Sequence, residues 1–287
     1  MVLGEINAGF TLAKNIKKLF KKPGPTVASR FVELFERHGV HRNQIPSFFG
    51  HNLTVAIVAK DDMLLPALTE EILNEACKLF AVRREWLDGV DTQIYPLHDF
   101  YKHPEEFCEF IVNLKNQSSG RVGGILFVSD SQSRNNDDAV IILEEVIGSV
   151  SEKSIYRHHL CNGWFFNYWK SRVYLTACIA IAWKHKVHIN GRKSPFKKLQ
   201  RYLEGEKFLG EHFDESGYHS SIWHPEDMAC SPKNLLDGLH DLFHDGEYQK
   251  TINLWLALAE NGWMDTCLNP TPIEKFQRQL DLKIEQN

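Results

Sequence analysis

The chain has 287 residues, 43% of them hydrophobic and 24% charged, which places it among folded proteins and excludes a disordered one. Lys+Arg 33 against Asp+Glu 37 leaves a formal charge of −4, so coating of nucleic acid by bulk charge is excluded and any such surface is a local patch. The longest apolar runs, such as Tyr174 to Trp183, stop short of the roughly 20 residues of a membrane span, and the start MVLGEINAGFTLAKN lacks a signal-peptide core and cleavage site. A cytosolic protein with no membrane partner is expected, and the six scattered cysteines, without a CxxC pair, read as free thiols.

Residues 1–25 form a basic amphipathic arm. Phe10, Ala13, Ile16, Leu19 and Phe20 fall near helical spacing, Lys14, Lys17, Lys18, Lys21 and Lys22 fill other positions, and Pro23-Gly24-Pro25 ends the piece. From Thr26 to about Gly89 short helices follow one another. Phe31, Leu34 and Phe35 make an apolar face stopped at Gly39, and Asn43 to Phe49 makes a second helix stopped at Gly50. Asn52 or Thr54 caps a third, through Ile57 and Val58; Thr69 caps a fourth, with Ile72, Ala76, Leu79 and Phe80 on its buried face. A last turn carries Trp86 and Leu87.

The end of this array, Leu73, Ala76, Cys77, Leu79, Phe80, Ala81, Val82, Trp86, Leu87 and Gly89, follows the spacing "L..IA..LGV...WL..G", and 41–50 fall where "S...LA..LG" belongs. On these residues the segment 26–95 resembles the lambda-repressor-like, or XRE-type, helix-turn-helix domain, over roughly a quarter of the chain. The resemblance implies double-stranded DNA as partner, a homodimer, and a recognition helix over 51–59 with its N-terminal side chains in the major groove. The DNA-binding candidates are His51, Asn52, Thr54 and Lys60, with Arg42, Asn43 and Gln44 from the preceding helix. Two features depart from the family: HNLTVAIVAKDD offers little polar surface, and Asp61 and Asp62 would repel phosphate. Pro46 would also kink its helix unless it lies in the first turn. The alternative is a degenerate helix-turn-helix kept for dimerisation or protein contact.

A connecting helix spans 96–120, opened by Pro104-Glu105-Glu106. Over 121–205 the periodicity turns to strands, at 124–129, from Ala139 to Val150 and at 154–161, so the expected fold class is α+β with a small sensory or dimerisation domain. Residues 163–174 crowd six aromatics into twelve positions. They are either a core seam or a pocket for a small-molecule effector, with Trp164, Tyr168, Trp169, Lys170 and Arg172 as ligand-binding candidates. Lys184, Lys186, Arg192, Lys193, Lys197, Lys198 and Arg201 come with no acid among them, and Asn190-Gly191 signals a two-residue hairpin. A basic hairpin could act as a wing on the DNA backbone through Arg192, Lys193, Lys197 and Lys198; the other reading is a solvated charge run.

The region 206–287 reads as helical, with helices at Leu235 to His244, Thr251 to Asn261 and from Thr271. His240 and His244 stand at zinc-binding spacing, with His212, His219 and His224 as further ligands, but HDLFH carries Asp241 where a metalloprotease has Glu, and no metal or cofactor is expected. There is no GxSxG, Walker-type loop or GxGxxG, and Asp137-Asp138 and Glu144-Glu145 read as surface charge. The expected function is a DNA-binding transcriptional regulator that dimerises; the alternatives are a protein-interaction module and, with less weight, a nucleotide- or nucleic-acid-acting enzyme.

Overall fold

The computed structural model describes residues 24–118, 120–130, 138–209, 222–239, 242–244, 246–266 and 272–284. The basic arm expected at 1–25 lies outside them except for Gly24 and Pro25. Thr26 opens the first helix, α1 (Val27–Arg37), by accepting from the Ser29 N–H, and buries Phe31, Leu34 and Phe35. A 3₁₀ turn (Arg42–Gln44) leads into α2 (Ile45–Phe49). Pro46 lies in the first turn of α2, where its missing N–H breaks no helical bond. Next come α3 (Val55–Val58), α4 (Asp61–Leu64), α5 (Glu70–Phe80), capped by Thr69 as expected, and α6 (Arg84–Leu87).

The fold is α+β. After the N-terminal helices come β1 (Leu97–Asp99), α7 (Pro104–Gln117), β2 (Val122–Ser129), β3 (Asp138–Val150), β4 (Lys153–Phe165), α8 (Trp169–Lys184), β5 (His188–Ser194) and α9 (Phe196–Leu203). The sheet order is β1-β4-β3-β2-β5. β1 runs parallel to β4 and β5 parallel to β2, whereas β3 is antiparallel to both β2 and β4, so four strands point one way and β3 alone points back.

One sheet face buries Phe127, Val140, Ile142, Ile155 and Leu160 against the N-terminal helices and Leu199 and Tyr202 of α9. This core is continuous with that of the helix array. Ile94 and Tyr95 lie inside it and donate to the Gly205 carbonyl, so the divisions expected at 95 and 205 cut through shared packing. The other face packs Leu126, Val128, Ile141 and Leu143 on α7 and α8. Helix α8 is apolar all round because its far side is covered too: Val173 and Ala177 meet α10 (Asp227–Cys230), α11 (Pro232–Leu236), α12 (Glu247–Glu260) and α13 (Ile273–Ile284) through Met228, Leu235, Trp255 and Phe276. No helix of the described residues is long and apolar enough to cross a membrane.

The expected hairpin at Asn190-Gly191 is absent: both residues lie inside β5, paired with Ile125 and Leu126. Gly191 serves close approach instead of a turn, because a methyl there would stand 2.3 Å from the Trp223 ring. Glu145 corrects another expectation. It is buried, not surface charge, and Arg157 reaches it at 2.6 Å with His159 at 3.5 Å.

Candidate functional site

The helix expected over 51–59 is shorter than its sequence suggested. Gly50, His51 and Asn52 take φ values of +78°, +53° and +57°, so the chain turns left-handed for three residues before Leu53 drops into the core. Thr54 then caps α3 by accepting from the Ile57 N–H, and Lys60, extended, separates α3 from α4. His51, Asn52, Thr54 and Lys60 are exposed, as is Asn43; Gln44 is half-buried and its side chain closes a capping box on the His41 N–H. Arg42 is committed inward: its guanidinium donates to the Val58 carbonyl and ion-pairs with Asp61. That pair offsets one of the two acids that would repel phosphate. Val55, Met63 and Leu65, on and after α3, are 55%, 56% and 48% exposed.

The second basic group is placed elsewhere. Lys184 pairs with Asp265 at 3.3 Å. Lys197, Lys198 and Arg201 are exposed on α9 without an ion pair among the described residues, Lys193 is the next-to-last residue of β5, and Arg192 is half-buried. Phe48 of α2 packs on Gly148 near the turn between β3 and β4, whereas Lys193 lies level with Val128, which pairs with Ala139. Nine residues of β3 separate those levels, or about 30 Å at roughly 3.3 Å per residue. The structure therefore does not bring Lys193 into one cluster with the helix-turn-helix candidates.

The aromatic segment divides in the same way. Trp164 is 1% exposed in the core under α8, so there the core reading holds. Tyr168 and Trp169 pack near Leu239 and Phe243 around a crevice too small for a ligand, and Lys170 is half-buried at the start of α8. Arg172 is buried and committed: it donates to the carbonyls of Phe166 (2.6 Å), Leu235 (3.2 Å) and Asp237 (2.5 Å), with its guanidinium 4.0 Å from the Phe166 ring centroid.

Sequence reasoning missed the cleft beside this clamp. β2, β4 and β5 end at the same edge, where Ser129, Asp130, Phe166, Asn167 and Lys193 meet Trp223, His224, Asp227, Asn234 and Asp237 around about 450 Å³. The chain leaves β2 for β3 on one side and reaches β5 through α8 on the other, so the connections diverge beside β2. Such a reversal at the carboxyl ends of strands leaves a crevice that open α/β sheets use for ligands. No local motif signals it, because its walls are drawn from five separate stretches.

Of the expected histidine cluster, His212, His219 and His240 lie outside the described residues, and the His244 N–H caps toward Glu247 at 2.9 Å. Among the described residues the one group with metal-ligand proximity is the exposed His103, Glu105 and Glu106 at the start of α7. The described cysteines are free; burial pushes the Cys77 thiol up to about 11 and that of Cys178 well above its ordinary value, which makes both poor nucleophiles. Comparison with protein-family models, curated proteins and solved structures gives no match.

Proposed function

We propose that this protein is a cytosolic, dimeric DNA-binding regulator whose helical N-terminal half meets duplex DNA and whose sheet-end cleft takes an effector. The observation that carries the reading is the left-handed turn at 50–52, which holds His51 and Asn52 exposed at the head of α3 with Thr54, Asn43 and Lys60 around them. An amide fixed on a tight turn can pair bidentately with adenine in the major groove, and the Arg42–Asp61 pair offsets the acid behind it. A one-turn helix offers little area, which is why two-fold pairing belongs to the reading. The test is titration of duplex DNA at two salt concentrations with the natural protein and the Asn52→Gly variant. Glycine keeps the positive φ while removing the amide, so sequence preference should fall with little change in stability. Equal preference in the two proteins would count against the reading.

A second reading rests on the exposed Val55, Met63 and Leu65, which suit an apolar protein surface better than phosphate. It predicts that Val55→Ser with Met63→Ser abolishes partner binding while no DNA sequence is enriched.

A further inference from the structure

We propose that the sheet-end cleft binds a small zwitterion of the α-amino-acid class, with its ammonium at Asp130 and Asp237, its carboxylate at Lys193, and its side chain on Phe166 and Trp223. The inference deepens the effector part of the regulator reading and rests on it only for the biological role.

The charges point to this class. Asp130, Asp227, Asp237 and Lys193 are exposed to the cleft and none forms an ion pair among the described residues. A phosphate-bearing ligand would meet three carboxylates against Lys193 and the Arg172 guanidinium, whose donors are spent on backbone carbonyls, an unfavourable balance. A bare metal ion is disfavoured too, because these three carboxylates do not approach one another closely enough to share an ion, whereas His103, Glu105 and Glu106 do. A pair of carboxylates suits an ammonium group, which carries three N–H donors, and Lys193 supplies the opposite pole. Lys193 stands beside the end of β2, in register with Val128, two residues before Asp130, so donor and acceptor poles are set by adjacent parallel strands.

The cleft is also rigid where it has to discriminate. Arg172 ties the Phe166 carbonyl after β4 to the Leu235 carbonyl in α11 and the Asp237 carbonyl just after it, and so fixes an apolar wall and the backbone that carries one carboxylate. Trp223 is held by reciprocal backbone bonds with Gly191, at 2.8 and 3.2 Å, and its ring meets that of Phe166 edge-on at 5.9 Å. Arg172 is therefore a positioning residue, while Asp130, Asp237 and Lys193 are the contacts. A cleft prepared in this way loses little ordering entropy on binding.

The experiment is calorimetric titration of the full chain, without DNA, against the L-amino acids and, for any that bind, the matching amine lacking the carboxylate and the matching acid lacking the amino group, with inorganic phosphate as a further probe. At least one amino acid should bind, and both truncated probes should bind at least about tenfold more weakly. Lys193→Met should bring the affinity for the amino acid down to that for the amine; Asp130→Asn and Asp237→Asn, tested separately in case one fails to fold, should each weaken amino-acid binding. Binding of no amino acid, tighter binding of phosphate, or binding untouched by Lys193→Met in a folded protein would overturn the assignment. Because no DNA is present, its failure leaves the DNA reading standing, and loss of DNA binding leaves this assignment standing.

Discussion

Acid should loosen the junction between the helix array and the sheet, and His38 is where the effect can be isolated. His38 caps α1 in a buried site, with Nδ1 2.7 Å from the Leu34 carbonyl, Nε2 3.3 Å from the Tyr95 hydroxyl and its ring 4.3 Å from that of Phe80. Nδ1–H therefore donates to Leu34, and Nε2 accepts from Tyr95. Burial, with the nearby His158 adding to it, holds the His38 pKa down at about 3, against 6.5 for a free imidazole. Between those values the unfolded chain binds a proton that the folded chain refuses, so stability rises with pH. The contribution is complete above about pH 6.5 and is lost as pH falls toward 3, at about 1.4 kcal/mol per pH unit. From pH 6 to pH 4.5 that amounts to about 2 kcal/mol.

His98 and His159 are also held down by burial and steepen the total slope, so the informative quantity is a difference between two proteins. His38→Leu should be less stable at pH 7 by about 1–3 kcal/mol, because the Tyr95 hydroxyl and the Leu34 carbonyl lose a partner. Its stability should nevertheless fall less steeply with acid, by about 1.4 kcal/mol per pH unit. Urea unfolding followed by tryptophan fluorescence at several pH values above 4.5, where carboxylates contribute little, measures both slopes. Parallel slopes would refute the reasoning, as would an NMR titration that finds His38 near 6.5.

Arg172→Met should cost about 3–5 kcal/mol, since it unties the carbonyls of Phe166, Leu235 and Asp237 inside the fold, and a drop of less than 1 kcal/mol in denaturant unfolding would show that the clamp is dispensable. Gly191→Ala should destabilise because its methyl meets the Trp223 ring, and Trp223→Ala in the same chain should recover part of the loss; a double mutant no better than the single one would place the strain elsewhere. Lys197→Ala with Lys198→Ala should weaken binding to all duplexes alike and lower the salt slope by about 2, read from affinities over a salt series. An unchanged slope would return α9 to the status of a solvated charged helix.

The helix ends were legible in the sequence because their signals are local. Thr69, Gly39 and Pro104 each act within one turn of the backbone they start or stop, and each stands where its residue type predicted. The apolar run from Ala139 was likewise readable as a strand. The errors have a common origin in pairing across the chain. Asn190-Gly191 carries a turn signal by itself, but β2 draws it into a parallel ladder more than 60 residues away in sequence. Glu145 looked solvated until Arg157 and His159 on the next strand enclosed it. The cleft was out of reach for the same reason: Lys193 and Arg172 were singled out for separate purposes, and only the strand order brings them to one edge with Asp130 and Asp237.

The turn at 50–52 is proposed to read DNA. Its most direct test is selection of random duplexes by the natural protein and by Asn52→Gly, side by side at moderate salt, with sequencing of the bound fractions. The account predicts a two-fold symmetric site enriched by the natural protein, with preference lost at the adenine-bearing position in the variant. Recovery of unselected sequence by both proteins, or the same motif from both, would contradict it.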